Sequence, residues 1–215
     1  MQVISVNVGL PQEVEWKGKR VKTGFFKTPV SGAVNVRTLN AEGDAQADLS
    51  VHGGPTKAIY VYPSGHYEFW RTELPGVPLP WGAFGENLST RGLIEHEVQI
   101  GDEVRMGTVR FRTTEPRMPC YKLGIRFERN DIVKRFLESG RSGFYLSVLQ
   151  EGRVQAGDSI EPLKRRSQSV TVADVTRLYT TDKGNVELLR RVVALDALGE
   201  SWRQYFLKRL DTLTA

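Results

Sequence analysis

The sequence predicts an α+β protein that is mainly β: a small β-barrel carrying a few helices, followed by a C-terminal three-helix extension. Residues 1–163 hold many short strand-like runs separated by glycine turns. Close spacing of this kind favours a barrel over a parallel α/β sheet. Beyond residue 170 the apolar spacing takes on a helical period. A change of composition at Lys164–Ser169 separates the two. The chain therefore divides into a barrel domain, 1–163, a linker, 164–169, and a three-helix domain, 170–215.

The elements follow in order. Met1–Val8 alternates roughly, with Val3, Ser5 and Asn7 on one face and Ile4, Val6 and Val8 on the other, and Gly9–Pro11 ends it. Val14–Trp16, Lys19–Thr23, Val34–Leu39, Glu97–Ile100, Glu103–Met106 and Val109–Thr113 read as further strands. Gly18, Gly32, Gly43, Gly101 and Gly107 punctuate them. A helix is predicted over Pro63–Thr72, with proline in its first turn. Another covers Asp131–Ser139, where Ile132, Val133, Phe136 and Leu137 share a face and Gly140 supplies the stop. Gly143–Leu149, a glycine-turn strand and Ser159–Leu163 close the domain. In the extension, Thr171–Asp174 resembles a capping box with Asp in place of Glu. Val172, Val175, Leu178 and Tyr179 share one face. Val186, Leu189 and Val193, then Trp202, Tyr205, Phe206 and Leu210, form two more apolar stripes. Three short helices packed on one another or on the barrel account for all of them.

Several function classes are excluded or disfavoured. No apolar run in the 215 residues approaches the ~18 that a transmembrane helix needs. The first residues lack the basic and long apolar regions of a signal peptide. Cys120 is the one cysteine, so an intramolecular disulfide or a multi-cysteine zinc site is impossible. A lone thiol suits a reducing compartment, and a cytoplasmic location is expected. His52, His66 and His96 lie too far apart to suggest a zinc site, and His66, among aromatics, reads as a structural hydrogen-bonding histidine. Neither a Gly-x-Ser-x-Gly elbow nor a Gly-x-Gly-x-x-Gly fingerprint occurs, so hydrolase and nicotinamide readings have no motif behind them.

Charge is unevenly placed. The formal net charge is +5. Residues 1–163 hold 20 Lys and Arg against 19 Asp and Glu, and residues 164–215 hold 10 against 6. Within the barrel, residues 105–135 hold nine basic side chains and three acidic ones, with Cys120 at the centre. Such a window serves nucleic acid, an anionic cofactor or a solvated surface. No zinc-finger, RNA-recognition or basic-zipper pattern supports nucleic acid.

Four segments carry candidate chemistry. In Pro116–Lys122 (PRMPCYK) two prolines stiffen the approach to Cys120, and Arg117 and Lys122 are close in sequence. Positive neighbours favour the thiolate, the form that attacks or binds metal, although a buried inert cysteine fits the local context equally well. In Asp48–Ala58, Gly53 and Gly54 let backbone amides approach a ligand, with His52 before them and Lys57 after. This can form an anion cradle, or it is a plain turn. Gly82–Leu88 offers Gly85 for a tight bend and the Asn87 amide as donor and acceptor. Lys27 and Thr28 form a further polar loop.

Together these segments resemble a known family. Gly43–Asp48 (GDAQAD), Val51–Ala58 (VHGGPTKA), Tyr62–Tyr67 (YPSGHY), Phe84–Thr90 (FGENLST), Gly101–Asp102 and Pro116–Lys122 occur in that order. The pattern looks like a MOSC domain, most like the bacterial YiiM type with its three-helix extension, and it covers nearly the whole chain. The resemblance implies a MOSC-type β-barrel that binds the molybdenum cofactor, molybdopterin carrying Mo, with Cys120 as the protein ligand to the metal. It implies reduction of N-hydroxylated bases such as 6-N-hydroxylaminopurine to amines, a detoxification. Lys27, Thr28, His52, Gly53, Gly54, Lys57, Asn87, Arg117 and Lys122 are then the candidate cofactor-binding residues. Asp48 and His52 are the candidate proton donors in a two-electron reduction that breaks the N–O bond. Pyridoxal phosphate is not expected. The chain shows no flavin, haem or iron–sulfur motif, so a separate flavin or iron–sulfur reductase must deliver electrons. The helical tail is open to three uses: docking that reductase, forming a homodimer, or covering the site.

Two rival functions remain. One is a cofactor carrier or sulfur-transfer module without turnover of its own, with Cys120 holding the load. The other is a nucleic-acid-binding protein using the basic tail, which predicts steeply salt-dependent affinity. Neither rival involves a membrane.

Overall fold

The computed structural model describes residues 1–47, 53–165 and 170–215. Strand β1 (Gln2–Val8) opens the chain, and β2 (Gln12–Trp16) and β3 (Lys19–Thr23) form a separate hairpin. Its two-residue turn, Lys17–Gly18, has positive φ at both positions (52° and 73°), the backbone that matches strand twist in a tight hairpin. Next come β4 (Thr28–Pro29), β5 (Val34–Val36), a 3-10 turn (Pro55–Lys57), β6 (Ile59–Pro63), α1 (His66–Glu73) and β7 (Leu88–Arg91). The second half of the barrel holds β8 (Glu103–Met106), β9 (Val109–Pro116), α2 (Tyr121–Phe127), α3 (Ile132–Glu138), β10 (Phe144–Gln150), β11 (Gly152–Val154) and β12 (Ile160–Lys164). The extension is α4 (Val172–Thr180), α5 (Val186–Val193) and α6 (Glu200–Thr214).

Eight strands form one sheet in the order β12-β8-β9-β10-β6-β7-β1-β4. Its pairings are antiparallel except β6 with β7. The sheet is not closed by a continuous ladder, yet it curls until its two sides meet. Gln2 bridges Ser159, the Val3 amide donates to the Asp158 carbonyl (2.9 Å), and the Ile160 amide donates to the Met1 carbonyl (3.0 Å). The result is a barrel with a short seam.

Two apolar clusters fill the molecule. The larger joins Val3, Val104, Phe111 and Leu146 of the barrel to Val172, Val175, Leu189 and Phe206 of the helices. The extension thus shares the barrel's core. The smaller is aromatic and gathers Tyr62, Tyr67, Trp70, Phe84 and Phe136. The capping box is present, with the Asp174 amide donating to Thr171 Oγ1 (3.0 Å) and the Thr171 amide to Asp174 Oδ2 (3.1 Å).

Some expectations give way. Glu97–Ile100 is a turn, because the Glu97 and Val98 amides donate to the Ile94 carbonyl (2.9 and 3.0 Å). The Ile100 amide instead bonds the Val170 carbonyl (2.9 Å), tying the turn to the start of the extension. The strand expected over Val34–Leu39 stops at Val36, where the Arg37 amide turns back to the Asn40 carbonyl (2.8 Å). Pro63 ends β6 and does not start α1. Lys164 belongs to β12, and residues 166–169 of the expected linker lie outside the described residues.

Candidate active site

One cleft opens where the end of β9, the start of α2, β6, β10 and the loops after β3 and before β7 converge. Thr23, Phe25, Lys27, Asp44, Lys57, Tyr60, Asn87, Arg117, Met118, Cys120, Lys122 and Tyr145 line it. Cys120 is a half-buried free thiol. It sits in extended backbone (φ −126°, ψ 173°) as the residue before α2, and its carbonyl accepts the Leu123 amide (3.0 Å). Proline at 119 removes a backbone donor and restricts this approach.

Arg117 is 4% exposed. Its guanidinium lies over the rings of Phe136, Tyr60 and Phe25, at 5.0, 5.4 and 5.6 Å from their centroids. Nη1 is buried without a hydrogen-bond partner, and no carboxylate ion-pairs with the group among the described residues. Burial works against its charge, and the facing Tyr60, Cys120, Tyr145 and Tyr62 together outweigh burial, so its pKa is raised and it stays cationic. Tyr145 is pushed up to about 12 by burial, with Arg117 pulling the other way, so it keeps its proton at neutral pH.

Asn87, by contrast, is fully engaged. Its Oδ1 accepts the Tyr60 amide (3.0 Å), and its Nδ2 donates to Asp44 Oδ2 (2.9 Å) and to the Asn7 carbonyl (3.4 Å). Asp44 also accepts the Gly9 amide (3.1 Å) and ion-pairs with Lys27. Burial lowers the Lys27 pKa, and Asp44 opposes that shift. Behind Asn87, the buried Glu86 carboxylate accepts from the Tyr67 hydroxyl (2.5 Å), the Ser89 hydroxyl (2.7 Å) and the amides of Gly82 (2.9 Å) and Phe84 (3.2 Å). Burial nevertheless pushes the Glu86 carboxyl up. Gly85 has φ +82°, and an added Cβ would lie 2.9 Å from the Phe25 ring, so the bend requires glycine.

The structure brings Lys27, Lys57, Asn87, Arg117, Cys120 and Lys122 to one cleft. Thr28 is exposed on β4 and does not line it. Gly53 and Gly54 precede the 3-10 turn that carries Lys57 and are not lining residues either. Asp48 and His52 lie outside the described residues. Of the nine basic residues in 105–135, only Arg117 and Lys122 reach the cleft. Strand alternation sends Arg110 and Arg112 outward to Glu103 (3.3 and 3.2 Å), while Arg129 pairs with Asp131 (2.7 Å). In the extension Arg203 and Arg209 donate to the carbonyls of Val193 and Lys183 (2.7 Å each), so part of the tail's charge holds its own loops. His66 bonds Glu95 (2.8 Å), the structural role expected. Sequence reasoning missed Tyr60 on β6 and Tyr145 on β10, and Glu86, whose one signal is its place beside Gly85.

Among the described residues no group of three or more His, Cys, Asp or Glu side chains is placed to hold a metal. Among the described residues no helix is long and apolar enough to cross a membrane.

Comparison with known proteins finds the MOSC domain over residues 48–161 and the YiiM-like, 3-alpha helix domain over residues 170–213. The chain is 43% identical over 211 residues to the Bacillus subtilis (strain 168) protein YflK, covering 98% of this chain and 95% of that one. It is 34% identical over 181 residues to a Gibberella moniliformis protein named "Reductase", covering 83% of this chain but 32% of that longer protein. The crystal structure of YiiM from Geobacillus stearothermophilus superimposes with a TM-score of 0.82 at 33% identity, covering 97% of this chain and 98% of that one.

Proposed function

This chain belongs to the MOSC domain family, in its form with a YiiM-like three-helix domain, and from that premise we propose that it is a molybdenum-cofactor-dependent reductase of N-hydroxylated compounds, such as 6-N-hydroxylaminopurine, to amines. The observation that carries the reading is a half-buried thiol, Cys120, sharing a cleft with a buried guanidinium that has a donor to spare. The residues fit the group. Among the described residues no side-chain cluster forms a three-ligand metal site, and Cys120 as a single thiolate suits a metal that brings donors of its own, as a dithiolene provides. Cys120 would add the one protein thiolate. Arg117, Lys122 and Lys57 would offset the cofactor's negative charge, Arg117 through the nitrogen that the protein leaves unbonded.

When bound, the cofactor supplies the two-electron chemistry that removes oxygen from an N–OH group. The chain's share is to hold, orient and enclose. The prolines flanking Arg117 and Met118 restrict the path of the Cys120 backbone. Phe25, Tyr60 and Tyr145 border the same space with apolar ring surface, which suits a flat heteroaromatic base. Electrons come from a separate reductase.

The test is metal and pterin analysis of protein made in a cofactor-competent host, beside turnover of 6-N-hydroxylaminopurine with a reductase. Wild type should hold molybdenum and pterin in stoichiometric amount and release the amine. Cys120→Ala should lose metal retention by about tenfold or more while melting within a few degrees of wild type. Wild type without molybdenum overturns the proposal. Retention without turnover of any N-hydroxylated base marks a carrier instead.

A further inference from the structure

Glu115 is 1% exposed and lies at the junction of the barrel and the extension. Its Oε1 faces the Lys57 ammonium at 3.6 Å, and Lys57 lines the cleft. Its Oε2 faces Gly199, the residue that opens α6. An ideal Cβ at Gly199 would lie 1.9 Å from Oε2 and 3.3 Å from Thr56 Oγ1. Gly199 has φ −55° and ψ 140°, a conformation open to any residue. Glycine is therefore required here for space and not for backbone freedom. Burial pushes the Glu115 carboxyl up, while Lys57, Thr56 and Trp202 of α6 oppose the shift. The 3-10 turn carrying Lys57 is also clamped to β9, where Thr114 Oγ1 donates to the Thr56 carbonyl (2.5 Å).

We infer that Glu115 is a positioning residue through which the three-helix extension sets the Lys57 ammonium in the cofactor cleft, an inference that rests on the proposed cofactor reading for its consequence. The helices then act as part of the site: the bare Gly199 leaves room for a carboxylate that reaches back to a cleft lysine. The obstruction that alanine would create is with the far end of a side chain. Gly199→Ala should therefore displace the carboxylate and leave the fold in place.

Two measurements on the full chain decide this. The first uses protein made without cofactor and reads the acetylation rate of each lysine by peptide mass spectrometry under a brief pulse of an activated acetate ester. Gly199→Ala and Glu115→Gln should each raise the Lys57 rate by about threefold or more, with exposed Lys22 unchanged. The second reads molybdenum retention in a cofactor-competent host. Each substitution should lower retention by about threefold, and neither should lower it further in a Lys57→Met background. An unchanged Lys57 rate in both folded variants overturns the inference, as do retention losses that multiply with Lys57→Met. If Gly199→Ala fails to fold, Glu115→Gln carries both readouts. Wild type devoid of molybdenum defeats the cofactor proposal, while the acetylation rates still decide whether Glu115 and α6 position Lys57.

Discussion

On the Asn87 side of the cleft, polar atoms bond one another: Asn87 to Asp44 and Tyr60, Asp44 to Lys27, and Glu86 to four donors behind them. On the Arg117 side, a buried cation rests among three aromatic rings with one nitrogen unbonded. Both sides are buried, and both are rich in polar residues. They differ in leftover bonding capacity. A side chain whose donors and acceptors are all engaged builds the wall of a site, whereas one with capacity to spare in a low-dielectric setting waits for a ligand.

That contrast can be broken by substitution. Glu86→Ala leaves the Ser89 hydroxyl and the Gly82 and Phe84 amides without their acceptor and the Tyr67 hydroxyl with only the Pro80 carbonyl (3.3 Å), and should lower the unfolding free energy by about 4 kcal/mol in urea denaturation. Asn87→Ala should cost about 2–3 kcal/mol in the same assay, since it strips partners from the Tyr60 amide and Asp44. Arg117→Met should behave in the opposite way. Molybdenum retention should fall about tenfold, equivalent to about 1.4 kcal/mol, while stability shifts by less than about 1 kcal/mol, because removing a buried charge relieves its desolvation. If Arg117→Met unfolds the protein as readily as Glu86→Ala, the distinction between the two sides is lost.

The smallest effect is on pH dependence. Folding raises the Glu86 carboxyl above its ordinary value of 4.5, so in the window above that value the native state holds more protons than the unfolded chain. This group's contribution to stability therefore declines as pH rises from 4.5 through the folded-state pKa. Glu115, also raised by burial, contributes a slope of the same sign. Urea midpoints followed from pH 4 upward should show a shallower decline in Glu86→Gln than in wild type, with the Glu115 part remaining. An unaltered slope would show that Glu86 does not change its protonation on folding.

The place of Cys120, Arg117 and Lys122 in one cleft was legible in the sequence because all three sit in one short, proline-stiffened segment. The helical extension was legible because its apolar stripes and capping box are local patterns. Asn87 illustrates the limit. Its amide looks free in sequence, and only the fold brings Asp44 and the Tyr60 backbone to it. Tyr60 was hidden for a related reason. β6 is an unbroken buried run between β7 and β10, so no alternation marks the residue that turns into the cleft. The basic window stayed open among three readings because a run of charge in sequence says nothing about which strand face each side chain takes. α2 was missed because seven residues with an internal glycine carry too little helical signal, although Gly124 has a packing reason: a Cβ there would lie 3.0 Å from the Arg129 carbonyl oxygen.

The barrel seam bears on how the chain comes to be folded. β1 is the earliest of these strands to leave the ribosome, yet apart from a short pairing with β4 its partners are Leu88–Arg91 and the stretch around Ser159. The Gln2 end of β1 waits for the stretch around Ser159, long after β4 and β7 have been made. Completion of the barrel seam is therefore a late event in the making of this chain.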